Sequence, residues 1–277
     1  MTAILQAVGI LAALGLGFGL ILAIASAVMA VPRDEKVEQL FEVLPGANCG
    51  ACGYSGCDGY AQAMVHDGAK VGLCSPGGTA VAQATAELLG VSSDGVQTLT
   101  AMIRCGGCEQ HTKRKLQYHG LQSCAAATQF YGGNWLCNHG CLGYGDCANA
   151  CEYGAITIED GLARIDASLC RGCTKCVAAC PKSLIVMYPG SARGVVRCQN
   201  TDKGGIVRKA CSVGCIGCMK CTKVCEHDAI HVTNFLAEID IEKCIGCGAC
   251  ADNCPVDCIT IFGHEAKKPE KVAAASK

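Results

Sequence analysis

Three stretches of the chain repeat one cysteine spacing, Cys-x2-Cys-x2-Cys-x3-Cys, and they begin at Cys170, Cys215 and Cys244. In runs of this kind the first three thiolates bind one [4Fe–4S] cluster, and the fourth reaches a neighbouring cluster. Single Cys-x2-Cys pairs also occur in zinc sites, but three runs of this length predict iron–sulfur chemistry. That chemistry is one-electron transfer, and we expect no residue to act as an acid, base or nucleophile.

A longer cysteine pattern contains these runs. Nine cysteines between Cys124 and Cys180 recur 74 residues later, between Cys198 and Cys254. Because the offset is constant over nine positions, it indicates a duplicated unit. The first copy has alternating apolar residues around Asp160-Gly161 and the second has them around residues 234–235, which predicts a β-hairpin in each. The predicted fold class is α+β, with two tandem bacterial-ferredoxin-like domains.

The interlocking of adjacent runs assigns ligands to the clusters of the duplicated block. The second copy is predicted to bind two clusters, one through Cys215, Cys218, Cys221 and Cys254 and one through Cys225, Cys244, Cys247 and Cys250. The first copy is predicted to bind one through Cys151, Cys170, Cys173 and Cys176. Its other site lacks a cysteine, because Tyr144 stands where the second copy has Cys218. The ligands assigned there are Cys137, Cys141, Cys147 and Cys180. The alternative leaves Cys137 out and the site three-coordinate.

An additional cluster motif precedes the duplicated block. Its cysteines are Cys49, Cys52, Cys57 and Cys74, and the first three lie on a glycine-rich loop. Glycine suits such a loop because the backbone must approach the cluster closely and adopt positive φ. A lone four-cysteine motif also fits zinc, which is the alternative here. With this motif the sequence predicts five [4Fe–4S] clusters.

Six cysteines remain after five clusters are assigned. Cys105, Cys108 and Cys124, together with either Cys198 or Cys211, are candidate ligands of a sixth cluster. The alternative is that they are buried thiols. Cys258 is interpreted as a small apolar side chain. The basic residues Lys113, Arg114 and Lys115 are interpreted as a solvated face or as a docking site for an acidic electron carrier.

Composition is consistent with metal ligation. The chain has 26 cysteines in 277 residues and only 5% aromatic residues, so a conventional packed core would be thin. Metal binding can replace such a core, since it contributes folding free energy directly. Thiolate ligands also require a reducing compartment. The formal net charge of −1 gives no reason to expect nucleic-acid binding.

The elements that position these cysteines begin with an apolar segment. The stretch from Ala3 to Val31 has no charged residue and exceeds the roughly 20 residues that cross a bilayer. It predicts a single transmembrane helix that ends at Pro32. Because it has no ionisable group, we expect no ion path within it. Arg33 and Lys36 follow it, which places the cluster domains on the cytoplasmic side of the cell (inner) membrane.

The sequence therefore divides into six expected parts. They are a transmembrane anchor (1–32), an N-terminal [4Fe–4S] domain (33–90), a connecting segment with cysteines (91–136), ferredoxin-like domain 1 (137–190), ferredoxin-like domain 2 (191–265) and a tail (266–277).

The order of these motifs resembles one known family over essentially the whole chain. An anchor, then Cys49-x2-Cys52-x4-Cys57-x16-Cys74, then ferredoxin runs is similar to the B subunit of the Rnf complex. The segment Cys137-x3-Cys141-Leu-Gly-x-Gly-Asp-Cys147 resembles the long form of that family. The resemblance implies a membrane complex that passes electrons from reduced ferredoxin to NAD⁺ and couples this to Na⁺ or H⁺ export. It implies soluble ferredoxin as donor and partner subunits that hold the flavin, NAD and ion sites.

Two other function classes share parts of this pattern. A reductive activator of a corrinoid protein has an iron–sulfur domain that resembles Cys49 to Cys74, but no cobalamin-binding or ATP-binding domain is visible in this sequence. An electron-transfer subunit of a related complex that reduces a redox-sensing regulator would look nearly the same. Ferredoxin:NAD⁺ activity of the assembly separates the main hypothesis from the second alternative.

Overall fold

The computed structural model describes residues 2–28, 34–92, 95–96 and 98–262. The predicted tail (266–277), Arg33 and the helix end at Pro32 lie outside these residues. In chain order the elements are α1 (Thr2–Val28), α2 (Glu35–Val43), α3 (Cys57–His66), α4 (Gly78–Leu89), β1 (Leu99–Ile103), α5 (Cys124–Thr128), α6 (Asp146–Asn149), β2 (Ile156–Glu159), β3 (Leu162–Ile165), α7 (Lys175–Ala179), β4 (Ile185–Pro189), β5 (Gly194–Val196), α8 (Gly204–Ala210), α9 (Lys220–Lys223), β6 (Ile230–Thr233), β7 (Leu236–Ile239), α10 (Ala249–Asp252) and β8 (Ile259–Ile261).

Helix α1 is the apolar N-terminal segment. Among the described residues it is the one helix long and apolar enough to cross a membrane, over Val8–Ser26. Its large side chains, such as Leu16 and Leu22, are exposed. Apolar surface of this extent costs free energy in water. Together with the family of the chain, described below, this helix indicates membrane association.

A small N-terminal unit is built from α2, α3 and α4. Asp34 caps α2, because its Oδ1 accepts a hydrogen bond from Lys36 N at 3.0 Å. Val37 and Leu40 lie on one face of α2 and are buried, and they pack with Tyr60 of α3. The unit therefore folds around an amphipathic helix.

The two ferredoxin-like units have the same strand pairing. Hairpin β2–β3 pairs Ile156 with Ile165, and hairpin β6–β7 pairs Ile230 with Ile239, 74 residues later. Each unit has a second antiparallel pair, β1–β4 in the first and β5–β8 in the second. Segment 91–136, which the sequence predicts to be a connection, thus contributes β1 to the first unit.

Strand pairing gives the true correspondence between the copies. Ile103 of β1 pairs with Ile185, and Val196 of β5 pairs with Ile259. Ile185 and Ile259 are equivalent at the 74-residue offset, so their partner strands β1 and β5 are equivalent. Cys105 and Cys198, each two residues beyond its strand, are therefore equivalent as well. The loop from Cys105 to Cys137 is then 19 residues longer than its counterpart from Cys198 to Cys211. The first unit therefore carries an insertion, which contains α5.

The cores of the two units are small and rich in cysteine. Leu162 and Ala163 are fully buried in the first unit, and Leu236 and Ala237 occupy the equivalent places in the second. Much of the remaining core consists of cysteine side chains, including Cys176 and its neighbours. Few apolar side chains remain to stabilise either unit without its cysteines.

Candidate metal centres

The N-terminal set consists of Cys49, Cys52, Cys57 and Cys74. Burial raises the pKa of Cys74, and the other three thiols raise it further, so the four side chains lie together. The Tyr60 hydroxyl donates to Lys70 O at 2.8 Å, and Leu73 N donates to the hydroxyl oxygen at 3.2 Å. These bonds hold the loop before Cys74 against α3.

The Cys151 set consists of Cys151, Cys170, Cys173 and Cys176, as the spacing predicts. Burial raises the pKa of Cys176 to about 11, and the other three thiols raise it as well. Burial also raises the pKa of Cys173, and two of the nearby thiols that add to this shift are Cys49 and Cys151. The Cys151 set therefore lies next to the N-terminal set.

The Cys141 set differs from the ligands assigned by sequence. Its members are Cys124, Cys141, Cys147 and Cys180. Burial raises the pKa of Cys147 to about 12, and Cys141, Cys124 and Cys180 raise it further. Cys137 lies in another set, described below. The fourth position is thus taken by Cys124, from the insertion.

Asp146 is the physical reason why Cys124 occupies this position. Its carboxylate accepts hydrogen bonds from Cys124 N, Ala125 N and Ser123 Oγ, each at 3.0 Å. Burial alone would raise the pKa of Asp146, but these hydrogen bonds lower it below its usual value. Because Asp146 begins α6, which carries Cys147, the carboxylate fastens the start of α5 beside that cysteine.

The second unit holds two sets as the sequence predicts. The Cys215 set is Cys215, Cys218, Cys221 and Cys254, and the Cys225 set is Cys225, Cys244, Cys247 and Cys250. Burial raises the pKa of Cys221 to about 11, and its three partners raise it further. Burial likewise raises the pKa of Cys250 to about 11, with Cys244 and Cys247 adding to the effect.

Cys258 lies beside the Cys215 set. Its Sγ is 3.6 Å from Cys254 Sγ. A hydrogen bond from Cys258 lowers the pKa of Cys215, while hydrogen bonds to Cys215 and Cys254 raise the pKa of Cys258. Cys258 therefore stays a thiol that donates to ligand sulfurs, which is more than the small apolar side chain inferred from sequence.

A sixth set, the central set, consists of Cys105, Cys137, Cys198 and Cys211, which line one cavity. A methyl group at Gly107 would lie 3.2 Å from Cys211 Sγ and 3.8 Å from Cys105 Sγ, so glycine lets these thiols approach. Burial raises the pKa of Cys198 to about 11, and Cys137 is one of the thiols that raise it further. Cys105 and Cys198 are equivalent residues of the two units, as are Cys137 and Cys211.

The sulfurs of the central set accept hydrogen bonds from nearby groups. Asn200 N donates to Cys198 Sγ at 3.5 Å, and Asn200 Nδ2 donates to Cys137 Sγ at 3.6 Å. Cys141 N donates to Cys105 Sγ at 3.5 Å. Such bonds stabilise negative charge on cluster sulfurs. Within a ferredoxin-type set, Leu184 N donates to Cys180 Sγ in the same way, at 3.4 Å.

The sets fit cubane clusters better than single ions. Four thiolates on one zinc ion would have sulfurs about 3.8 Å apart, because each Zn–S bond is about 2.3 Å. In the described part of the chain, no group of three or more His, Cys, Asp or Glu side chains could hold one metal ion. The central, Cys151, Cys215 and Cys225 sets each line a small cavity of about 20 Å³. The central cavity is thus similar in size to the ferredoxin-type ones.

Cys108 is not part of the central set, although the sequence made it a candidate. It is buried in the first unit among Cys105, Cys147 and neighbouring apolar residues, and it does not line the central cavity. Sequence reasoning missed that Cys137 joins Cys105. The signal that could have found the pairing is the repeat of Ile103-Arg104-Cys105 as Val196-Arg197-Cys198.

Comparisons with known families match three stretches that contain these cysteines. An Fe-S cluster family matches residues 44–76. A 4Fe-4S binding domain family matches residues 162–185, and a 4Fe-4S dicluster domain family matches residues 214–258. Together with the mixed helices and strands, these matches confirm the α+β class with ferredoxin-like units.

Curated relatives cover most of the chain. One, from Acetobacterium woodii, is the B subunit of a Na(+)-translocating ferredoxin:NAD(+) oxidoreductase complex, and it is 42% identical over 94% of this chain and 78% of its own length. Another, from Methanosarcina acetivorans, is the B subunit of an ion-translocating oxidoreductase complex. It is 40% identical over 87% of this chain and 91% of its own length. A third, from Clostridium ljungdahlii, is the B subunit of a proton-translocating ferredoxin:NAD(+) oxidoreductase complex. It is 38% identical over 87% of this chain and 85% of its own length. The resemblance to the Rnf complex is confirmed, and the chain belongs to the family of B subunits of ion-translocating oxidoreductase complexes.

Proposed function

We propose that this electron-transfer subunit accepts electrons from reduced ferredoxin and relays them through [4Fe–4S] clusters toward NAD⁺ reduction on other subunits. The relay is coupled to Na⁺ or H⁺ translocation by the complex. Two relatives name ferredoxin and NAD(+), and they differ in the ion that they name. The apolar span of this chain has no ionisable residue, which supports an ion path on partner subunits.

We assign one [4Fe–4S] cluster to each of the six sets defined above. When bound, the clusters supply reversible one-electron storage. The protein supplies the thiolates, excludes water by burial and donates hydrogen bonds to sulfur, which together set the potentials. Burial and crowding raise the pKa of several of these thiols, so iron binding must displace protons to form the thiolates.

The single observation that carries the proposal is the position of the central set between the two ferredoxin-like units. On one side, Cys141 N donates to Cys105 Sγ. On the other side, Cys215 is one of the thiols that, after burial, raise the pKa of Cys198. The central set therefore adjoins the Cys141 set and the Cys215 set. Because Cys49 also lies near enough to Cys173 to raise its pKa after burial, this supports a continuous row from the second unit to the N-terminal unit.

The orientation of the row follows from the anchor. The N-terminal unit begins directly after the apolar segment, so the N-terminal set is the one closest to the bilayer along the chain. We place the units on the cytoplasmic side of the cell membrane with a single crossing, because Arg33 and Lys36 follow the segment. The second unit is then the end of the row available to a soluble donor.

Iron and acid-labile sulfide per polypeptide, measured on the complex purified anaerobically, test the proposal. Six clusters predict about 24 iron atoms on the four-thiolate rule, and five predict about 20. Cys211→Ala should lower the count to about 20 and reduce ferredoxin-dependent NAD⁺ reduction by more than tenfold. Cys108→Ala is the matched control and should retain both. A Cys211→Ala complex with full activity would contradict the relay through the central set.

A further inference from the structure

Only two of the 26 cysteines, Cys218 and Cys247, are exposed. Each belongs to a different set of the second unit, and the ligand cysteines of the other sets are half-buried or buried. Electron transfer between proteins requires the two redox centres to approach closely. These two places are therefore the most accessible to a soluble carrier.

The Cys218 position is open because the second unit lacks the insertion of the first. Its counterpart in the first unit is Tyr144, whose ring lies 5.7 Å from that of Tyr118 in the insertion. Tyr144 and Cys124 also pack on the same small apolar cluster. The insertion thus covers in the first unit the position that the second unit leaves exposed.

Basic residues lie close to Cys218 in the sequence. Between positions 203 and 225 the chain has five cations and no carboxylate, and Asp202 and Glu226 flank this range. All five side chains are exposed, and they are Lys203, Arg208, Lys209, Lys220 and Lys223. The carboxylates near Cys254, on the same set, are Asp252, which is half-buried, and Asp257, which is exposed. The face around Cys218 therefore has an excess of positive charge.

Apolar side chains occupy the same face. Ile206, Met219 and Phe235 are 55%, 51% and 47% exposed. The turn at Phe235 lies against the cysteine loop, since a methyl group at Gly217 would be 2.9 Å from Phe235 O. On the other side, a methyl group at Gly204 would collide with Ile216 O, so the start of α8 also touches this loop. Cations around an apolar centre are the usual composition of a charge-steered interface.

Carboxylates surround the other exposed ligand, Cys247. Asp228, Asp240 and Glu242 lie close in sequence to Cys225 and Cys244 of its set. Two cations also lie there. Lys243 is 3.7 Å from Asp228 Oδ2 and 4.0 Å from Asp240 Oδ2, and the exposed Arg193 packs against Gly246, beside Cys247. Carboxylates therefore offset the cations near Cys247, and an acidic partner would be attracted more strongly to the face around Cys218.

We propose that an acidic electron-carrier protein docks on the face around Cys218, so that electrons enter at the Cys215 set, next to the central set, and the Cys225 set lies off the direct path. One electron leaves the reduced centre of the carrier and is taken up at this set, with no bond made or broken and no proton moved. This inference rests on the proposed electron-transfer function and adds the docking surface. The patch of Lys113, Arg114 and Lys115 is excluded, because Arg114 pairs with Glu109 at 2.6 Å and Lys115 donates to Tyr131 O and Asn138 Oδ1.

The test uses the whole complex with Lys203→Glu and Lys223→Glu together. The control combines Lys70→Glu, Gln39→Glu and Gln83→Glu, at exposed residues of the N-terminal unit, and it changes the net charge equally. The probe is a reduced bacterial two-cluster ferredoxin, and its second-order rate of oxidation is followed in stopped flow from low to high salt. We expect the first variant to be slower by about tenfold or more at low salt, with the difference lost at high salt. The rate at which uncharged deazaflavin photoreduces the clusters should be the same in the wild-type complex, the variant and the control.

The outcomes separate this inference from the proposed function. If the wild-type complex does not oxidise reduced ferredoxin, the proposed donor is wrong. If it does, but the Lys203 and Lys223 variant keeps the wild-type rate and salt dependence, the docking face is wrong. An equal loss of rate in the Lys70, Gln39 and Gln83 control would also overturn the docking face, because the effect would then come from net charge and not from this face.

Discussion

Paired cysteine substitutions can show which thiols share a cluster. The perturbation is Cys147→Ala, alone and combined with Cys124→Ala or with Cys137→Ala. Cys124 is one of the thiols close enough to raise the pKa of Cys147 beyond the effect of burial, whereas Cys137 lines the central cavity. Two substitutions in one set remove one cluster, but substitutions in two sets remove two clusters, so their effects add.

The expected iron counts follow from six sets of four ligands. The wild-type complex should have about 24 iron atoms per chain and Cys147→Ala about 20. Adding Cys124→Ala should leave the count at about 20, while adding Cys137→Ala should lower it to about 16. The assay is iron and acid-labile sulfide per polypeptide, supported by the electron paramagnetic resonance spin count of the reduced protein. The ratio of sulfide to iron reveals a damaged cluster that has lost only one iron, because the sulfide count then exceeds the iron count.

The reverse result would refute the geometry. If Cys124→Ala with Cys147→Ala gave about 16 iron atoms and Cys137→Ala with Cys147→Ala gave about 20, Cys137 would bind the cluster of Cys147. That assignment is the one that the sequence suggests. Cys108→Ala is the matched control, since it removes a buried thiol outside all six sets and should keep about 24 iron atoms.

Three further predictions concern the surroundings of the clusters. Asp146→Asn weakens the hydrogen bonds to the loop of Cys124, by about 1 kcal/mol for a half-exposed carboxylate. The substitution should therefore speed the loss of iron to a chelator about fivefold. An unchanged rate of iron loss would contradict the role of Asp146. Cys258→Ala removes a thiol donor from Cys254 and Cys215 and should lower the potential of that cluster in a spectroscopic redox titration; an unchanged or higher potential would argue against the donor. Complete removal of iron should abolish most far-ultraviolet dichroism of the ferredoxin-like units, because cysteines form much of their cores, and retention of the signal would refute this.

The ferredoxin-type sets could be predicted from the sequence because their ligands are local. The spacing within a Cys-x2-Cys-x2-Cys run brings three thiolates around one cluster regardless of the rest of the chain. The central set has no such spacing. Its members come from four separate loops between Cys105 and Cys211, and only the packing of the two units brings them together. The positions of the two hairpins were likewise accessible, because they follow local alternation of apolar residues.

The difference at the fourth site between the sequence assignment and the grouping of thiols in the structure has a definite cause. The constant offset pairs Cys124 with Cys198, but strand pairing shows that Cys105 is the equivalent of Cys198. The insertion has a length that brings another cysteine to the 74-residue offset. Cys124 then replaces the ligand lost at Tyr144, which frees Cys137 for the central set. A sequence offset cannot distinguish these cases, because it contains no information about which strand pairs with β4.

The symmetry of the central set bears on how two ferredoxin-like units become one relay. Either unit alone would hold two clusters and end there. Each unit contributes two equivalent cysteines to the central set, so that site exists only where the two copies meet. Arg197 of the second copy donates to Cys105 O at 3.1 Å. Its largely buried guanidinium places a positive charge beside the four cysteine sulfurs of the central set. A cation there favours the reduced state of the site. The junction between the copies is therefore suited to accept an electron from one unit before passing it to the other.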